Sequence, residues 1–232
     1  MPQFGQITAS QLFRLIGTPD CPLILDVRMA DDFAADPRLI PTAQWIPHTQ
    51  VASHITPNRR AVITCQRGHK LSEGAAAMLR AHGMQAEILE GGHLAWTDAA
   101  LPLVAQSALS GTDLWVTRHR PKIDRIACPW LIRRFIAPTA RFLFVALAEV
   151  AAVAAHFNAT PFDIEDVAFS HRGDFCTFDA LIADFNLGHP ALTRRAQVVR
   201  AADTDHHDLS PQAAGLFAIS IGLSRMFRDD LA

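Results

Sequence analysis

The chain has 232 residues and a formal net charge of −2, and half of its residues are hydrophobic. That length allows one large domain or two small ones, each with enough apolar residues to fill a core, and the composition excludes a disordered chain. The near-neutral charge argues against bulk electrostatic binding to nucleic acid but leaves room for a local basic patch.

The N-terminal Met-Pro-Gln-Phe-Gly-Gln lacks the charged-then-apolar profile of a signal peptide. Leu23-Ile24-Leu25-Asp26-Val27 reads as a buried strand, and Ala61 to Thr64 and Ala86 to Leu89 as two more. Between the last two, Leu71, Ala75, Met78 and Leu79 fall on one face of a helix over 71–82 that Gly83 stops. Strand, helix, strand at this spacing predicts parallel pairing. The small, polar-leaning stretch around 101–112 suggests a linker, which gives domains at 1–104 and 113–232 joined by 105–112. The second block begins at Asp113-Leu114-Trp115-Val116-Thr117. A helix is expected near 128–136, with Pro129 tolerated in its first turn. A strand at 141–145 follows, then helices at 149–157, 178–186, 190–202 and 211–228. The fold class expected is α/β: a parallel sheet flanked by helices, then a mostly helical α+β domain.

The late apolar stretch Ala213 to Phe227 is broken by Gly215, Ser220, Gly222, Ser224 and Arg225, too short and polar to span a bilayer. The four cysteines, at 21, 65, 128 and 176, form no CxxC pair and no disulfide-like spacing. These features together predict a cytoplasmic protein with reduced thiols and no membrane partner.

Cys65 ends a strand, and Gln66-Arg67-Gly68-His69-Lys70 leads from it into a helix. The free N–H groups of a first helical turn and the helix dipole favour negative charge at such a sulfur. Arg67, His69 and Lys70 add positive potential, so a lowered thiol pKa is expected. The same N–H groups can cradle an oxyanion. A buried core cysteine is the ordinary alternative.

Four motifs in order resemble the rhodanese family. Leu25-Asp26-Val27-Arg28 matches its Asp-x-Arg strand. Leu39-Ile40-Pro41-Thr42-Ala43 is similar to its His-Ile-Pro-Gly-Ala stretch, with Leu39 and Thr42 departing. Cys65 to Lys70 matches its six-residue active loop. Leu89-Glu90-Gly91-Gly92-His93-Leu94-Ala95-Trp96 matches its closing Leu-Glu-Gly-Gly-x-x-Ala-Trp. The resemblance implies a sulfurtransferase in which the Cys65 thiolate takes sulfane sulfur from a donor such as thiosulfate and passes it to a thiol or cyanide-like acceptor. No cofactor is required. Gln66, Arg67, Gly68, His69 and Lys70 would bind the anionic donor, while Asp26 and Arg28 brace the sheet. A phosphatase of the same fold needs an arginine six positions after the cysteine, where this chain has Leu71.

The second block resembles the C-terminal domain of bacterial chromate-resistance proteins of the ChrB type. The stretch from Trp115 to Phe135 carries the likeness most distinctively, followed by Phe142 to Val145, Pro161 to Ile164, His171 to Asp174 and Cys176 to Asp179. Val199 to Thr204, Ala213 to Leu216 and Leu223-Ser224 complete it. From Arg118 to Arg141 there are seven Lys or Arg against one acid, Asp124. Clustered guanidinium groups suit chromate, sulfate or a phosphate backbone, which makes Arg118, Lys122, Arg125, Arg133 and Arg134 oxyanion candidates. An ordinary solvated face is equally consistent with them. Asp124, Cys128, His171, Cys176 and Asp203, with Asp179 beside them, are metal-capable types that could hold a divalent ion, although no tight ligand motif is present. Capping and core roles compete for each. His206-His207 reads as a surface pair, and Trp115 and Trp130 as core.

Two functions fit. One is a sulfurtransferase linked to chromate or oxyanion resistance. The other is a chromate-responsive sensor or metal-binding protein in which the first half is a redox or sulfur input.

Overall fold

The computed structural model describes residues 5–109 and 112–230, which divide into two compact units that meet in sequence at Ser107 and Ala108. In the first unit, β1 (Gln6–Ile7), β2 (Leu23–Asp26), β4 (Gln44–Trp45), β5 (Arg60–Thr64) and β6 (Gln85–Leu89) form one sheet in the order β1-β6-β5-β2-β4. All of its pairings are parallel, with Leu23 opposite Ala61 and Ala61 opposite Ala86. Every residue of β2 is buried, as is β5 after Arg60, because helices cover both faces of a parallel sheet. Helix α3 (Lys70–Ala81) buries Ala75, Ala76 and Leu79 against Ile63, Ala86 and Ile88. The remaining helices are α1 (Ala9–Leu15), capped by Thr8 and Gln11, α2 (Ala30–Ala35) and α4 (Gly92–Asp98).

The strand order places a switch point beside β2, whose neighbours are β4 on one side and β5 on the other. The connections leave β2 towards β4 and β5 towards β6, in opposite directions, and parallel sheets open a crevice at the strand ends there. Cys65 follows β5 at that edge. A separate pair, β3 (Arg38–Leu39) and β7 (Val104–Ala105), runs antiparallel, and the Gln106 amide donates to Pro37 O. The chain is therefore tied to the first unit through Gln106, into the stretch that composition marks as a linker.

The second unit holds a three-stranded sheet in the order β10-β8-β9, formed by β8 (Leu114–Arg118), β9 (Arg141–Val145) and β10 (Thr160–Pro161). Both pairings are parallel. Helices supply the rest: α5 (Asp124–Leu131), α6 (Val150–Phe157), α7 (Thr177–Asp184), α8 (Pro190–Asp203) and α9 (Ala213–Met226). Trp115, Phe142 and Phe162 meet edge to face in its core.

The first of these helices differs from expectation. It starts at Asp124, four residues early, because Ser220 Oγ accepts from the Ile123 amide at 2.9 Å and Asp203 Oδ1 accepts from the Asp124 amide at 3.4 Å. Pro129 consequently lies inside the helix rather than in its first turn. It brings no N–H for the Arg125 carbonyl, and the chain widens into a π-helix over Ile132–Ile136. Among the described residues, no helix is long and apolar enough to cross a membrane.

Candidate functional site

Chemistry-bearing side chains gather in two places, one in each unit. In the first, Cys65 is 6% exposed and contributes to the apolar core under α3. The loop after it is held by backbone alone. The His93 amide donates to Cys65 O at 2.9 Å and the Leu94 amide to Gln66 O at 3.2 Å. The first turn of α4 thus binds the loop carbonyls. Gly68 and Gly92 both sit at positive φ where the loop meets the Gly91-Gly92 turn. A Cβ on Gly68 would lie 2.5 Å from Leu89 O, and one on Gly92 would lie 2.3 Å from Cys65 O. Only glycine allows the two backbones this close.

With their carbonyls taken, the loop residues offer donors. Among the described residues, no acceptor takes the amide N–H of Gln66, Arg67, Gly68, His69 or Lys70. Arg67, His69 and Lys70 are exposed, and Gln66 Oε1 and Ser72 Oγ are buried with no hydrogen-bond partner. The loop is therefore a strand-to-helix turn rich in free donors around a nearly buried thiol. Such a set can stabilise an anion on or beside the sulfur.

Asp26 and Arg28 are buried and paired at 2.7 Å. Arg28 also donates to Asp36 O at 2.9 Å and to Arg38 O at 2.7 Å. Each group is spent on the frame, tying the end of β2 to the chain entering β3. Asp36 in turn bonds Arg38 and the buried His93. The Arg38 guanidinium, aided by His93, holds the Asp36 carboxyl well below the usual carboxylate range. Burial pushes the His93 imidazole down, against the pull of Asp36. His93 thus links the loop-binding turn to this frame.

In the second unit, four segments converge. Asp124 opens α5, Asp203 closes α8, Asp163 follows β10 and His171 precedes the Gly173 turn. His171 Nε2 lies 3.1 Å from Asp203 Oδ2, 3.5 Å from Asp124 Oδ2 and 3.6 Å from Asp163 Oδ1. Thr177 holds two of the carboxylates: its amide donates to Asp124 Oδ2 at 2.7 Å and its hydroxyl to Asp163 Oδ1 at 2.9 Å. Asp124 is fully buried and its Oδ1 has no hydrogen-bond partner. Hydrogen bonding to Asp124 and Asp163 pushes the His171 imidazole up to about 10. Burial, with the charges of Asp124 and Asp163, pushes Asp203 up to about 6.

Asp163 belongs to this cluster although its sequence context gave no reason to choose it. Its signal is local: an acidic residue between Phe162 and Ile164 at a positive φ. Cys128 and Cys176 are buried near the carboxylates, and burial followed by those negative charges pushes both thiols up. They are held as thiols rather than thiolates, and Cys176 Sγ donates to Asp179 Oδ2 at 3.4 Å from the N-cap of α7. All four cysteines are free.

The five basic candidates have separate fates. Arg118 and Lys122 are exposed. Arg125 is buried instead, with Nη1 3.4 Å from Asp163 Oδ2, because the carboxylate cluster needs a counter-charge. Arg133 donates to Ala140 O and stacks on Phe142. Arg134 lies over Trp130 and Phe135. Trp130 is half-buried, with Arg195 also 4.3 Å from its ring centre, whereas Trp115 is core. His207 pairs with Asp205 and meets the Phe217 ring.

Comparisons agree with this division. The model of the rhodanese-like domain family matches residues 8–99, and that of the ChrB C-terminal domain family matches residues 115–232. Protein ChrB of Cupriavidus metallidurans is 35% identical over 117 residues, a match covering 50% of this chain and 35% of that protein. The match therefore spans only 35% of the length of that curated relative. Among solved structures, a rhodanese-like domain protein from Staphylococcus aureus is 28% identical, covering 40% of this chain and 91% of that one, with a TM-score of 0.36. A rhodanese-related protein from Thermoplasma volcanium is 21% identical, covering 44% and 100%, with a TM-score of 0.38. The chain thus joins a rhodanese-like domain to a second half that belongs to the ChrB C-terminal domain family.

Proposed function

We propose that the protein is a sulfurtransferase that carries sulfane sulfur as a persulfide on Cys65, in the service of resistance to chromate or a related oxyanion. The observation that carries this reading is the run of unpartnered amides from Gln66 to Lys70 beside a thiol at the sheet's switch point. The Cys65 thiolate attacks the outer sulfur of thiosulfate, the S–S bond breaks, and sulfite leaves with the bonding pair. The loop amides stabilise the anionic donor and then the persulfide anion. Arg67 and Lys70 hold the sulfonate end. A thiol or cyanide acceptor then attacks the outer sulfur and restores the thiolate. Electrons balance at each step without a cofactor. The link to oxyanion resistance rests on the family of the second half, and a cytoplasmic location on the free thiols.

The test is sulfite release from thiosulfate with cyanide as acceptor, using the full chain. Wild type should turn over and form a persulfide detectable by mass on Cys65. Cys65→Ser should lower the rate at least ~1000-fold. No turnover with thiosulfate, a persulfide or a thiosulfonate donor would overturn the reading.

A further inference from the structure

The carboxylate cluster belongs to the second unit and shares no residue with the Cys65 loop, and it does not look like a core defect. Asp124 is fully buried and Asp163 is 7% exposed, yet they converge with Asp203 on a single imidazole. Gathering three like charges, two of them buried and Asp203 partly so, is costly unless something compensates them. We infer that Asp124, Asp163, Asp203 and His171 form a binding site for one divalent first-row cation such as Mn²⁺ or Zn²⁺.

Four observations converge on this assignment. The first is spacing. Donors held ~2.1 Å from one ion lie ~3.0–3.4 Å apart, depending on coordination geometry. The separations from His171 Nε2 to the three carboxylate oxygens are 3.1, 3.5 and 3.6 Å. Ligating atoms of Asp124, Asp163 and His171 all lie within 4.8 Å of one another, so a small inward rotation closes the set.

The second is charge. Arg125 faces the cluster through Asp163, and Arg200 is taken by Asp179. Once an ion has displaced the His171 proton, three carboxylates and Arg125 sum to a charge of −2, which that divalent ion cancels. The two neighbouring thiols, Cys128 and Cys176, add nothing to the count while protonated.

The third is an unpartnered ligand atom. Asp124 Oδ1 is buried without a geometric hydrogen-bond partner, the neighbouring Cys176 thiol being turned to Asp179, while Oδ2 of the same carboxylate faces His171 and Thr177. A buried carboxylate oxygen left without a donor is rare in a relaxed core. A cation would satisfy it.

The fourth is support around the donors. Thr177 is fully buried and spends both its amide and its hydroxyl on orienting Asp124 and Asp163. Oriented carboxylates of this kind surround metal ligands generally. His171 is the exposed member, with 40% of its side chain open, so an ion can enter and leave on that side. Oxygen donors with one imidazole favour Mn²⁺, Fe²⁺ or Zn²⁺ over Cu⁺, which prefers thiolates.

The test uses the untagged full chain, stripped with a chelator and dialysed. Mn²⁺ is titrated and followed by the EPR signal of the free ion, and Zn²⁺ is followed by equilibrium dialysis with elemental analysis. One ion should bind per chain and raise the melting temperature. His171→Ala, at the exposed position, and Asp203→Asn should each weaken binding at least ~10-fold. Arg133→Ala should bind as wild type. Should Asp203→Asn fail to fold, His171→Ala still decides. Failure of both ions to bind at millimolar concentration overturns the site, and so does unchanged affinity in His171→Ala. The sulfur-transfer assay is independent of either result.

Discussion

The two units bury charge in opposite ways. In the first, Asp26 and Arg28 are one anion and one cation at 2.7 Å, and Arg28 spends its other donors on two backbone carbonyls. In the second, three carboxylates share Arg125 and one exposed histidine, and an Asp124 oxygen is left over. A balanced buried pair is a frame. An unbalanced one holds its charges for something outside the chain. The same residue types are therefore structural in one half and a candidate binding centre in the other.

Removing one charge from each unit breaks the comparison most sharply. Arg28→Ala should cost about 3–5 kcal/mol, because Asp26 is left buried without its partner. Thermal unfolding of the full chain measures this, with the first unit melting early. Asp203→Asn, in chelator, should instead leave stability unchanged or raise it on the order of 1 kcal/mol, since one of three like charges is gone. A loss there as large as that of Arg28→Ala would make the second cluster a frame as well.

The Cys65 loop depends on backbone approach rather than charge. Gly92→Ala would place a methyl 2.3 Å from Cys65 O, at a positive φ. The turn must move, at a cost of about 3 kcal/mol. Sulfite release should fall at least ~100-fold even where the protein stays folded, because the amide cradle shifts with the turn. Retained activity would show that the loop geometry does not depend on this contact.

This difference in construction decides what was legible in the sequence. The Cys65 loop and the Leu89–Trp96 turn are contiguous, so each can be read within a short window. The strands β2 and β5 are equally plain, as buried and mostly apolar runs, and β6 as a shorter apolar pattern broken by Glu87. Strands β1, β3, β4 and β7 have two residues each, too few to show any period. The carboxylate cluster draws on positions 124, 163, 171 and 203, from four segments with no shared spacing. Asp124, His171 and Asp203 are legible as metal-capable residue types, while nothing in its local sequence marks Asp163 as a ligand. Arg125 looked like part of a basic face because its partner lies 38 positions away. Topology alone brings these groups together.

A smaller electrostatic effect separates the halves by pH. Arg38, with His93, holds the Asp36 carboxyl below its unfolded value. A depressed carboxylate stabilises the fold fully above the unfolded pKa, near ~4, and that contribution is lost as pH falls through the folded value. Asp36→Asn should therefore lower the melting temperature of the first unit at pH 7. The gap from wild type should close in scans taken below pH ~4. A gap that stays constant with pH would mean that Asp36 acts through shape rather than charge.

The smallest effect expected is a gain, and it tests whether a departure from a family pattern is tolerated or used. Thr42 stands where the rhodanese pattern has glycine, and its φ is +70. A β-branched residue pays on the order of 1–2 kcal/mol to adopt that conformation. Nothing conspicuous offsets it: among the described residues, the hydroxyl's one hydrogen-bonding contact is Cys21 Sγ, 3.9 Å away. Thr42→Gly removes the strain but adds about 0.5–1 kcal/mol of chain entropy to the unfolded state. The net should be a stabilisation of about 0.5–1 kcal/mol, read as a higher melting temperature with sulfur transfer unchanged. A loss instead would mean that the Thr42 side chain holds the turn between β3 and β4 through its contact with Cys21, and Cys21→Ala should then reproduce it.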